Sequence, residues 1–90
     1  MTIELFDNIK SRYLQHKKSH PNALLMIREG NTFTAYYQDA ESIAKVFNTR
    51  PNYDKGRPEL PINNNKMDFV LPRLVKAGYK IAIIENTKTI

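Results

Sequence analysis
Cysteine and tryptophan are absent from these 90 residues, and glycine occurs only three times. Without thiols, neither a disulfide frame nor a thiolate zinc site can form, which fits a reducing, cytoplasmic location. Three glycines are too few for a Gly-x-Gly-x-x-Gly loop, and no Gly-Lys-Ser/Thr phosphate signature occurs. No apolar run approaches the roughly 20 residues of a membrane span. The N-terminus also lacks the apolar stretch of a secretory signal, so no membrane partner is expected. Acids are scarce: nine Asp and Glu stand against fourteen Lys and Arg, with no cluster of the kind a metal-dependent nuclease converges on a cleft. Ser11, Ser19 and Ser42 lie in no nucleophile-elbow context. His16 and His20 have the spacing of helical metal ligands, but Pro21 implies that the helix has ended, and no third ligand is near. The chain is therefore expected to be non-catalytic, with no metal and no other cofactor.

Positive charge is what the chain has in excess. A formal net charge of +5 and a pI near 9.6 favour an anionic partner, nucleic acid first, although the same charge can serve solubility alone. The length suits one domain with a modest core, expected to span residues 1–90 with its core at about 3–86 and a frayed polar tail at 87–90.

The centre of the sequence runs from Asn22 to Ala40. Ala23 to Ile27 is an unbroken apolar run, Glu29-Gly30-Asn31 supplies turn residues, and Thr32 to Tyr37 is rich in β-branched and aromatic residues. Gln38-Asp39-Ala40 reads as a helix start with Asp39 as its cap. The unit is strand, tight turn, strand, helix. Before it, Thr2 to Lys18 is amphipathic, with Leu5, Phe6, Ile9 and Tyr13 at helical spacing, Thr2 as a cap and Glu4 at the positive end of the dipole. After it, a helix over 39–47 buries Ala40, Ile43, Ala44 and Phe47. The segment from Arg50 to Pro58 is loop chemistry, in which Arg50, Lys55 and Arg57 around Tyr53 could hold phosphates and stack one base. A solvated loop is the plain alternative.

Glu59 to Asn63 reads as a short strand that Pro58 and Pro61 push to a sheet edge. Asn63, Asn64 and Asn65 offer caps for a helix over 66–77 with Met67, Val70, Leu71, Leu74 and Val75 as its apolar face and Gly78 as its stop. Pro72 inside that helix implies a kink. Tyr79 to Glu85 is apolar on both faces and is expected in the sheet interior. The fold class is α/β (α+β): a small mixed sheet of about four strands flanked by about three helices.

These blocks resemble the opening domain of MutS-type DNA mismatch-repair proteins. That pattern is a buried apolar strand, an Arg, then Gly-Asp-Phe-Tyr-Glu before an aromatic pair and a Glu-Asp-Ala helix start. Leu24, Leu25, Arg28, Gly30, Tyr36, Tyr37, Asp39 and Ala40 fall in register with it, as do His20-Pro21-Asn22 ahead of the strand. Near the end, Leu71, Leu74, Val75, Gly78, Ala82, Ile83 and Glu85 follow the family's Leu-x-x-Leu-Val-x-x-Gly-x-x-Val-Ala-Ile-Cys-Glu. The departure falls on the family's Phe-x-Glu, whose Phe stacks on a mispaired base and whose Glu bonds to it. Here the triplet is Thr32-Phe33-Thr34. Phe33 alternates to the other side of the strand and belongs to the core.

The resemblance implies a DNA-binding module of mismatch-repair type that has lost its reading residues. No ATP dependence is expected, since the family's ATPase parts lie in other domains. The strand face of Thr32, Thr34 and Tyr36 matches the family's DNA-facing side. Arg28, Lys45, Arg50, Lys55 and Arg57, with Lys17 and Lys18 in reserve, would track the backbone, and Tyr53 would stack. Binding should be weak and sequence-tolerant, with other domains or proteins of a DNA-processing complex as further partners. The alternative is a protein-interaction or scaffolding domain that kept the fold without binding DNA.

Overall fold
The computed structural model describes residues 2–85, with side chains from Ile9 onward. In chain order the elements are α1 (Thr2–Ser19), β1 (Ala23–Glu29), β2 (Thr32–Tyr36), α2 (Tyr37–Val46), β3 (Glu59–Asn63), a 3-10 turn (Asn64–Lys66), α3 (Met67–Lys76) and β4 (Lys80–Glu85). The caps expected at Thr2 and Glu4, the packing of Leu5 and Phe6, and the tail after Glu85 lie outside the described residues.

The apolar run of β1 is flanked on both sides because β1 and β2 are the two inner strands of a mixed sheet ordered β3-β2-β1-β4. β1 and β2 are antiparallel, with Ile27 opposite Thr34 and Glu29 opposite Thr32, while β1 and β4 run parallel. Gly30, at φ 62°, closes the β1–β2 turn in a conformation that costs glycine nothing. Alternation then sorts the side chains onto two faces. Leu24, Met26, Phe33 and Ala35 meet Ala40 and Ile43 of α2 and Met67, Val70 and Leu74 of α3. Leu25, Ile27 and Tyr36 meet Tyr13 of α1 on the opposite face.

Three expectations change. β4 is an edge strand, not an interior one. A strand apolar on both faces can equally be one whose faces are half covered, and Ile81, Ala82 and Ile84 are each only partly buried. Val75 is 61% exposed, because the stripe of α3 is carried by Met67, Val70 and Leu74 and leaves Val75 off the packed face. Pro72 lies within α3, which runs from Met67 to Lys76, and is on its exposed side, where water can take the place of the missing donor. Finally, Asp39 does not cap α2.

The cap position of α2 belongs to Tyr36, whose side chain makes no capping bond, and the corner is turned at Tyr37 with φ 56°. A left-handed tyrosine is strained. It is held by its N–H donating to the Pro58 carbonyl at 2.9 Å and by ring packing on Tyr13, centroids 5.1 Å apart. Asp39, released from capping, turns inward. Its carboxylate, 4% exposed, accepts from Lys17 Nζ at 2.9 and 3.1 Å and from the Leu25 N–H at 3.1 Å. Lys17 Nζ also donates to the Ala23 carbonyl. One buried carboxylate therefore ties α1, β1 and α2 together.

Candidate nucleic-acid interface
The candidate contacts do not all share one place on the sheet. β2 starts at Thr32, beside the β1–β2 turn, and ends at Tyr36, where it pairs with Glu59 at the start of β3. Arg28 and Thr32 therefore sit at one end of the sheet. The 50–58 loop, leading into Glu59, sits at the other. The length of β2 separates them, roughly 17 Å at about 3.4 Å per residue.

At the turn end, Arg28 is only partly free. Its Nε donates to the Gly30 carbonyl at 3.2 Å, its guanidinium lies 3.5 Å from the Glu85 carboxylate, and it rests 5.5 Å above the Phe33 ring. Thr32 is half-buried beside it. Further along the strand the face that would meet DNA is closed: Thr34 and Tyr36 are 7% and 5% exposed, on the side of the sheet that α1 covers. Burial pushes the Tyr36 phenol above its ordinary pKa, with Glu29 and Glu59 adding to the effect. Neither Thr34 nor Tyr36 offers a surface to DNA in this arrangement, and the expected exposed face contracts to Thr32. Phe33 is in the core, as alternation required.

At the loop end, the side chains converge. Tyr53 is 53% exposed, and its hydroxyl donates to Glu41 Oε2 at 2.8 Å, which fastens the loop to α2 and raises the phenol pKa. Lys45 lies one helical turn beyond Glu41 on the same flank of α2 and is exposed. Arg50 and Lys55 are exposed. Arg57 is not: it pairs with Glu59 at 2.9 Å, its side chain is 14% exposed, and it lies 5.9 Å from the Tyr36 ring centre. The contact is made by Arg57 Nη2, and neither Arg57 Nε nor Glu59 Oε2 hydrogen-bonds to a described residue. Arg57 anchors the base of the loop, while Arg50 and Lys55 on the loop and Lys45 on α2 are exposed. Glu41, Asp54 and Glu59 oppose four cations there, so the local excess of positive charge is small.

Lys17 leaves the set of candidate contacts because Asp39 holds it, whereas Lys18 is exposed. Among the described residues, no group of three or more His, Asp or Glu is placed to hold a metal ion. No described helix is long and apolar enough to cross a membrane.

Comparison with known proteins bears on this geometry. The family model described as MutS domain I matches residues 8–90. The DNA mismatch repair protein MutS of Thermosipho melanesiensis is 32% identical over 84 residues, covering 93% of this chain and 10% of that protein. Msh3 of Dictyostelium discoideum is 35% identical over 81 residues, covering 90% of this chain and 6% of its own length. MutS of Methanococcoides burtonii is 38% identical over 81 residues, covering 83% of this chain and 9% of that protein. The chain thus spans a tenth or less of the length of these relatives.

Proposed function
The chain belongs to the MutS domain I family, and from that membership we propose that it is a non-catalytic DNA-binding module that holds the phosphate backbone without reading mismatches. The observation that carries this reading is the contrast between the two ends of β2. Where the family places a stacking Phe and a bonding Glu, this chain has Thr32, half-buried, and Thr34, buried. A threonine cannot stack on a base, and a buried hydroxyl cannot reach one. On the loop and on α2, Lys45, Arg50 and Lys55 are exposed, as is Tyr53, a set that can neutralise phosphates and offer one aromatic face. Phosphate contacts position a protein on DNA and carry no sequence information. Arg28 and Lys18 would add weaker contacts, and Arg57 supports the loop from beneath. Since three carboxylates lie among the cations, affinity should be low and steeply dependent on salt.

The test is fluorescence anisotropy with labelled duplex, mismatched and single-stranded DNA at low salt, repeated for the double variant Arg50→Ala with Lys55→Ala. The wild-type chain should bind all three forms, and the double variant should bind each several-fold more weakly. No binding to any form by the wild-type chain would overturn the proposal. A protein-interaction role is favoured by one separate observation, an apolar cleft beside α3.

A further inference from the structure
Phe69 is 60% exposed, although it is one of the largest apolar side chains of the molecule. It does not stand alone. Its ring lies 6.0 Å from that of Phe47, and the Arg73 guanidinium covers both, 5.2 Å from the Phe69 centroid and 5.6 Å from that of Phe47. Behind the two rings is a cleft of ≈ 410 Å³ between α2, β3 and α3. Its floor is aliphatic, made by Ile43, Leu60, Ile62 and Val70, and the exposed Thr49, Asn63 and Lys66 stand on its rim.

Helical spacing gives the rim its charge. Lys66, Phe69, Arg73 and Lys76 recur at intervals of three and four residues and so share one flank of the segment ending in α3, while Asp68, Leu71 and Val75 share the other. Among the described residues, no carboxylate is within ion-pair distance of Lys66, Arg73 or Lys76. The ion pairs formed there engage Lys17, Arg28 and Arg57 instead. This flank therefore carries three cations with no described counter-charge, beside a cleft whose floor is apolar.

We propose that this cleft is a docking site for an acidic peptide segment that inserts one large apolar side chain into the space behind Phe47 and Phe69 and sets its carboxylates on Lys66 and Arg73. Charge complementarity selects an acidic partner. The floor selects an apolar anchor, because Ile43, Leu60, Ile62 and Val70 offer no polar partner at depth and the polar Thr49 and Asn63 stand only on the rim. Arg73 is preorganised for the carboxylate. Its planar face is fixed over two rings, and its N–H edge makes no hydrogen bond to a described residue. The site uses different side chains from the proposed DNA contacts, and either can hold without the other.

The test is amide chemical-shift perturbation by NMR on this chain, titrated with a short synthetic peptide of Asp, Glu and Ser around one central Phe. Parallel arms use the same peptide with central Ala, a version with Lys for the acids, and an oligothymidylate. The acidic Phe peptide should shift resonances of α3, β3 and the end of α2. It should bind about tenfold more weakly to Phe69→Ala, as expected when an anchor residue is truncated. Arg73→Glu should likewise lose the acidic peptide and gain the basic one. The proposal is overturned if the peptide leaves these resonances unmoved, if central Ala binds as well as Phe, or if the oligonucleotide alone perturbs the cleft. Anisotropy with duplex DNA on the same variants should be unchanged within about twofold, which separates failure here from failure of the DNA-binding reading.

Discussion
Lys17 and Lys55 are the same residue type, yet they have opposite roles. Lys17 is held in an interior corner, its Nζ shared between the Asp39 carboxylate and the Ala23 carbonyl, while Lys55 stands in water on the 50–58 loop. The interior cation contributes to the fold because its carboxylate partner is desolvated and also accepts a strand N–H. The loop cation contributes little to the fold, since an exposed charge is well solvated without a partner. Net charge therefore overstates what is available for DNA: Lys17 and Arg57 are committed inside the molecule, and Arg28 is shared with Glu85.

The contrast can be broken most severely at Asp39. Asp39→Ala leaves Lys17 and the Leu25 N–H without their shared acceptor, and should cost about 2–4 kcal/mol. It would be read as a lower urea midpoint with an unchanged slope. A loss under about 0.5 kcal/mol, the range of ordinary surface substitutions, would show the corner to be incidental. Next in size is the opposite case. Arg50→Ala with Lys55→Ala should leave the urea midpoint in place and flatten the dependence of log affinity on log salt by about two, one for each phosphate no longer neutralised.

A third effect appears only in alkali. Burial, and then the Asp39 carboxylate, raise the Tyr13 phenol from 10.0 to about 12. Below pH 10 the phenol is protonated in both states, so its contribution is fully present. Between 10 and about 12 the unfolded chain ionises while the native one does not, and stability should fall as pH rises. Tyr13→Phe should remove that part of the alkaline loss, measured by urea midpoints across the window. Smallest of all is Arg28→Ala, which breaks a 3.5 Å exposed pair with Glu85 and should change stability by no more than about 0.5 kcal/mol.

What sequence revealed follows from how local each feature is. Gly30 marked the turn, Pro58 and Pro61 marked β3 as an edge, and alternation sent Phe33 to the core, each by a rule acting within a few residues. Asp39 was misread because a carboxylate near a helix start usually caps it, and only the tertiary approach of Lys17, 22 residues away, turns it inward. β4 was misread because a half-covered edge strand and a buried inner strand share one apolar pattern. Where the candidate contacts fall on the sheet was not legible, because sequence proximity says nothing about which end of β2 a loop returns to. The Phe47–Phe69–Arg73 cluster was missed altogether, since its parts come from two helices. The sign that could have found it was Phe69, an aromatic residue off the apolar stripe of α3 with Lys66 and Arg73 at helical spacing.

The central claim is that the phosphate grip survives and base reading does not. It is tested most directly by measuring, in one titration series, the affinity of this chain for a matched duplex and for the same duplex with a single G·T mispair. The account predicts affinities equal within about twofold, both collapsing together as salt rises. A preference for the mispaired duplex of about tenfold or more would contradict it.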